Sequence, residues 1–155
     1  MASSLIKRFS HWLGTWRGAC ELEDGGEGTL EVSLTPYFDG QVFEVSARIW
    51  ENSSCEIRGH GIGFWGVNRQ GRVENTMWAD TLGFCLLEET PDDPDVLAME
   101  GVLSGNLAFS VAFRNEDHVL LISTSVGEGY AAGDKPRTYS RMTRLGMPLP
   151  GDDHE

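Results

Sequence analysis

The sequence predicts an all-β protein, an antiparallel up-and-down β-barrel of about ten strands preceded by one short helix. Three observations lead there. From Trp16 onward, short runs rich in Val, Ile, Phe, Trp and Thr alternate apolar with polar residues, the period-two pattern of strands that bury one face. Gly, Asn, Asp and Pro interrupt these runs about every ten residues. No segment between runs is long enough to hold the helix of a parallel crossover, so neighbours in sequence should pair, and closing the meander removes its two edges.

The elements follow in order. Ser3 or Ser4 can cap a short helix in which Leu5, Phe9, Trp12 and Leu13 recur at helical spacing, an apolar stripe that Gly14 ends. This helix is a candidate lid or plug. Strands are expected at Thr15–Leu22, Thr29–Phe38, Gln41–Glu51, Glu56–Gly66 and Arg72–Asp80, with Asp39-Gly40 the sharpest hairpin signal. They continue at Phe84–Glu89, Val96–Leu103, Ala108–Arg114, His118–Val126 and Arg137–Leu145. Pro91 to Asp95 reads as a long hairpin loop. Residues 1–147 make one domain, and the acidic tail 148–155 has too little apolar surface to fold.

Composition narrows the function. At 155 residues the chain can bury a core without staples. Its formal charge of -12, from 24 acidic against 12 basic residues, opposes nucleic acid and anionic membrane surfaces, whose recognition begins with clustered Lys and Arg. Cys20, Cys55 and Cys85 are odd in number and show no CxxC pair, so they read as reduced thiols. Lys7, Arg8 and His11 interrupt any export-signal run, and the expected location is the cytoplasm.

Leu13-Gly14-Thr15-Trp16-Arg17-Gly18, after a short helix and at the start of the first strand, resembles the opening of the calycin superfamily of ligand-binding barrels, which includes lipocalins and fatty-acid-binding proteins. Gly-x-Trp-x-Gly more closely resembles nitrobindin-type haem-binding-like barrels and a related group of uncharacterised bacterial lipocalin-like barrels. Gly40-Gln41-Val42-Phe43, Gly61 to Asn68 and Met77-Trp78-Ala79-Asp80 look like that group's middle strands. The resemblance implies a barrel-closure set of Gly14, Trp16, Gly18 and a basic residue of the last strand, Arg141 or Arg144, with Arg144 favoured, lying over the indole. Packing supports this: an indole fills the closed end while the two glycines on its strand face permit close approach.

The chemistry-bearing residues are few. Arg137, Tyr139 and Arg141 alternate, so on a strand they share one face. Facing inward, they would resemble the carboxylate anchor of fatty-acid-binding proteins; facing outward, they would leave Thr138, Ser140 and Met142 inside. Nitrobindin-type barrels carry a haem-ligating His on the final strand, whereas this chain has no histidine between Val119 and Asp153, which argues against haem held by that ligand. His60, between Gly59 and Gly61, is a lone polar candidate, and no metal-ligand spacing accompanies it. Gly61-Ile62-Gly63-Phe64-Trp65-Gly66 matches a dinucleotide pattern, but it lacks the strand-to-helix context that gives the pattern meaning. The acidic Asp92–Asp95 stretch lacks the oxygen spacing of a calcium loop.

The leading expectation is a non-catalytic carrier or sensor for a small apolar molecule. Its ligand would lie in a barrel lined by Trp16, Phe43, Met77, Met99, Phe109 and Phe113, with His60, Arg137, Tyr139 and Arg141 as polar contacts. The alternatives are a haem or nitric-oxide barrel, an enzyme using His60, Asp80, Glu44 or Tyr139 as acid or base, and a domain filled by its own side chains. A homo-oligomer stays open.

Overall fold

The computed structural model describes residues 5–80, 82–90, 95–102, 107–128 and 137–146, with backbone alone considered at 107, 127–128 and 137–139. The expected Ser3 or Ser4 cap, most of the Pro91–Asp95 loop and the acidic tail lie outside these residues. Helix α1 (Leu5–Phe9) runs into a single 3-10 turn, Ser10–Trp12. Ten strands follow: β1 (Gly14–Glu21), β2 (Glu27–Tyr37), β3 (Val42–Glu51), β4 (Ile57–Val67), β5 (Val73–Ala79), β6 (Gly83–Glu89), β7 (Val96–Val102), β8 (Leu107–Glu116), β9 (Val119–Glu128) and β10 (Arg137–Arg144). Each pairs antiparallel with its sequence neighbours, and β1 pairs with β10 to close the barrel.

Two hairpins show how local chemistry sets the register. At the β2–β3 turn Phe38, Asp39 and Gly40 all take positive φ (54°, 55° and 81°). Gly40 is held there for a second reason, because a side chain at that position would run into Ile6 of α1. The β8–β9 turn is shorter than the sequence suggests. β8 continues to Glu116, and the reversal takes only Asp117 and His118, with φ of 49° and 65°. A two-residue turn with both centres left-handed matches the twist of the flanking strands, and without a glycine its signal is faint.

The first and last strands meet closely. At Gly18 a methyl group would overlap the carbonyl oxygen of Arg141 and press on the Met142 side chain, so the β1–β10 seam requires a residue with no side chain. Trp16 is 1% exposed, and its indole N–H donates to the Trp12 carbonyl at 2.9 Å. The Arg144 guanidinium lies 4.6 Å above the Trp16 ring and donates to the His11 carbonyl. The Leu145 N–H donates to the Thr15 carbonyl at 2.8 Å, so helix, first strand and last strand are tied at one corner.

The helix is the barrel's plug. Leu5, Phe9 and Trp12 are buried, with Phe9 4.5 Å from Trp12 and Trp12 6.2 Å from Phe113 between ring centres. Leu13, one residue past the 3-10 turn, is only half-buried, because the tighter turn and the extended backbone there break the helical spacing. Arg8 anchors the helix through a two-pronged ion pair to Glu89, with contacts of 3.1 and 2.6 Å, and Glu89 also accepts the Val73 N–H at 3.0 Å. Burial pushes the Glu89 carboxyl up, but the Arg8 and Val73 hydrogen bonds outweigh it and hold the group below the ordinary carboxylate range. On the outer surface Arg17, Glu31 and Arg48 stand opposite one another on β1, β2 and β3, and both guanidiniums bond the nearly buried Glu31.

Two outcomes follow from this construction. Gly18→Val should lower unfolding free energy by about 3 kcal/mol in urea titrations, because the added carbons overlap backbone at the seam. Because the Glu89 carboxyl is held low in the folded state, its contribution is present at neutral pH and lost as pH falls through that lowered value. Glu89→Gln should therefore cost about 2 kcal/mol at pH 7 and much less at pH 3, read from denaturant midpoints at the two pH values.

Candidate functional site

Alternation along each strand sorts side chains into an inner and an outer set, and the ladder registers stack the inner set in rows. Across β3 to β6 the row nearest the helix is Phe43, Trp65, Asn75 and Leu87. The next is Val45, Gly63, Met77 and Cys85, and the third is Ala47, Gly61, Ala79 and Gly83. Side-chain volume therefore falls from the helix end to the opposite end. The first row is sealed, with Phe43, Trp65 and Leu87 each 0% exposed. In the third row all four residues are half-buried although they face the barrel axis, as are Met77 and Cys85 in the second. Among the described residues this end of the barrel, the cup, is therefore the loosely filled one.

Opposite that wall stand Phe109, Val111, Ile122 and Ser140, buried between 6% and 8%, with half-buried Thr124 and Val126 nearer the rim. Gly101 completes the lining, its missing side chain letting β7 lie against the Leu86 carbonyl. The floor is the aromatic cluster, in which Trp65 sits 4.9 Å from Phe113 and 6.4 Å from Phe43. Three polar atoms at floor level are buried without a hydrogen-bond partner, the Trp12 and Trp65 indole N–H groups and the Asn75 side-chain carbonyl. Trp65 and Asn75 are direct cross-strand partners, and Asn75 Oδ1 occupies the space that a side chain at Gly63 would take. A buried polar atom left unpaired costs roughly 1–3 kcal/mol, so this pair is a place where a guest's polar group would be stabilised.

The sequence-predicted lining residues divide between the two halves. Met77 and Phe109 line the cup, while Trp16, Phe43, Met99 and Phe113 belong to the packed interior, at 0% to 6% exposure. Arg141 is exposed, because Ser140 and Met142 on either side take the inner positions of β10. Arg137 and Tyr139 lie on β10 at positions where the backbone alone is described. Alternation also sends His60 outward: it is exposed beside Asp80, with Nδ1 3.5 Å from Oδ2, and its ring lies 5.7 Å from that of Trp78. Glu44 accepts the Tyr37 hydroxyl at 3.2 Å on the exterior, so it does not join His60 and Asp80. Gly14, Trp16, Gly18 and Arg144 meet at the seam described above. The glycines of Gly61 to Gly66 all lie within β4, away from any helix N-terminus.

Asn75, Ala47, Gly61, Ala79 and Cys85 were not among the lining residues expected from the sequence. Their signal is small side chains at alternate positions on adjacent strands, and it becomes visible only when the register aligns them. None of His11, His60 and His118 faces the cup, and among the described residues no three His, Cys, Asp or Glu side chains form a metal-ligand group. A separate cleft of about 350 Å³ lies at the plugged end, between Arg8, His11 and Trp12 on one side and Arg114 to Glu116 on the other. Its arginines already face carboxylates, Arg8 with Glu89 and Arg114 with Glu116 at 3.7 Å, so the apolar cup is the better binding candidate. Among the described residues no helix is long and apolar enough to cross a membrane.

No protein-family model and no curated protein matches the chain. Among solved structures it is similar to Rv2717c from M. tuberculosis, with a TM-score of 0.69, 16% identity, and coverage of 93% of this chain and 99% of that one. It also matches a redesigned beta barrel with a TM-score of 0.49 and 15% identity over 92% of this chain and 98% of that one. At such identities the first likeness shows the barrel fold, and the calycin and nitrobindin resemblance has no family match behind it.

The cup makes a chemical prediction of its own. Cys20 and Cys85 occupy inner positions towards the open end, and burial pushes both thiols above their ordinary value, whereas Cys55 is exposed on the β3–β4 turn. With iodoacetamide at pH 8, Cys55 should be modified first and Cys20 and Cys85 at least several-fold more slowly, because the thiolate is the reacting form; peptide mass mapping over time reads the order.

Proposed function

We propose that this protein binds a small, mainly apolar molecule in the cup at the open end of its barrel, acting as a carrier or sensor. The observation that supports the reading is the gradient across β3 to β6, from Phe43, Trp65 and Leu87 at the floor to Ala47, Gly61, Ala79 and Gly83 at the mouth. A barrel that needed only a packed interior would gain from larger side chains at those small, half-exposed positions. The lining of Met77, Val111, Ile122 and Val126 suits an apolar body.

The buried end of the ligand carries an uncharged hydrogen-bonding group in this reading. Asn75 Oδ1 would accept from it and Trp65 Nε1 would donate to it. An ionised carboxylate suits the floor less well, since a buried charge needs a charged or multiply bonded partner and Arg141 stands outside. No described histidine faces the cup, so the same reading leaves haem without an imidazole from these residues.

The test is a fluorescence titration with alcohols, primary amides and carboxylates of matched chain length. Trp65 lies at the floor, so emission should change on binding, with alcohols and amides bound at least tenfold tighter than carboxylates at pH 7. Ala47→Phe, which sets a phenyl ring opposite Gly61, should weaken binding at least tenfold while thermal unfolding stays close to that of the parent. A flat response across the whole panel would overturn the reading.

A further inference from the structure

Closing the barrel leaves no sheet edge for association, so any partner must dock on a face. The outer faces are not alike. Of the eight large apolar side chains exposed among the described residues, six stand on β4 to β7, and five of these cluster: Ile62 at 36%, Phe64 at 47%, Phe84 at 83%, Leu86 at 56% and Val102 at 50%. The registers make them one patch. Ile62, Trp78 and Phe84 form one cross-strand row, and Phe64, Thr76 and Leu86 form the next. Continuing the Glu88 to Glu100 register by two residues sets Val102 opposite Leu86.

We infer that this face is the interface of a two-fold symmetric homodimer, in which the β4–β7 faces of two copies pack sheet on sheet. Area is the first argument. The five side chains expose on the order of 500 Å² of apolar surface, at the upper end of what a monomer usually leaves in one patch. With a rim of polar neighbours the face approaches the roughly 800 Å² per partner of a stable interface. Charge is the second. The patch centre holds no charged residue, as a dimer core requires, and charged groups at its borders are matched within the chain, Arg58 by Glu51 and Asp24, His60 by Asp80 and Glu88 by Arg72. The net charge of -12 weighs against an anionic lipid surface as the occupant.

The experiment is sedimentation equilibrium of the full chain over a thousandfold concentration range. Wild type should move from 17.1 kDa towards twice that mass in the micromolar range. Phe84→Asp combined with Leu86→Glu should raise the dissociation constant at least a hundredfold and leave far-ultraviolet circular dichroism and thermal unfolding of the monomer unchanged. Phe38→Asp removes an equally exposed aromatic outside the patch and should leave the dimer intact. A wild type that stays monomeric at all concentrations overturns the inference, as does a dimer that survives the double substitution. Monomeric wild type that floats with phosphatidylcholine vesicles also overturns it, and assigns the face to neutral lipid.

Discussion

The β1–β10 seam is the contact on which the rest of this barrel depends, because without it ten strands form an open sheet with two unpaired edges and no interior. Backbones can approach there only because Gly18 has no side chain to strike the Arg141 carbonyl. The seam is then locked by interactions of different kinds. Trp16 fills the interior beside it and bonds the helix end, while Arg144 covers the indole and bonds the same turn. Local helix geometry, strand pairing and a cation–π contact all converge on one corner, so a fault in any of them loosens the others.

Closure forces an interior, and the chain fills that interior unevenly. At the helix end, Phe9, Trp12, Trp65 and Phe113 interlock at mostly edge-on or tilted angles, the geometry aromatic rings favour in cores. At the far end the inner positions of β3 to β6 carry Ala, Gly and Cys. The helix thus contributes more than a lid: by supplying the bulk that seals one end, it lets the strands keep small residues at the other. The Arg8–Glu89 pair holds the plug in register with β6, and Glu89 in turn fixes the start of β5 through the Val73 N–H.

The proposed binding and association would use opposite sides of the same wall. Strands β4, β5 and β6 present Gly61, Met77 and Cys85 to the cup and Ile62, Trp78 and Phe84 to the exterior. Apolar residues on both faces of these strands weaken the usual alternation. A guest pressing on the inner face and a second copy pressing on the outer one would share this wall.

The number, order and direction of the strands, the helix with its buried Leu5, Phe9 and Trp12, and the Asp39-Gly40 hairpin were determined by the sequence alone, because periodicity and turn chemistry are local properties. The seam was expected from the resemblance of Gly14, Trp16 and Gly18 to the calycin opening, with their spacing putting them on one strand face. Which face of each strand looks inward was decided only by the tertiary structure. His60 and Arg141 stand outside, and Asn75 and Ala47 inside, because one register for the whole barrel assigns every alternate residue at once. The cup itself belongs to that level: Ala47, Gly61, Ala79 and Gly83 are distant in sequence, and only hydrogen-bonded pairing between strands brings four small side chains into one row.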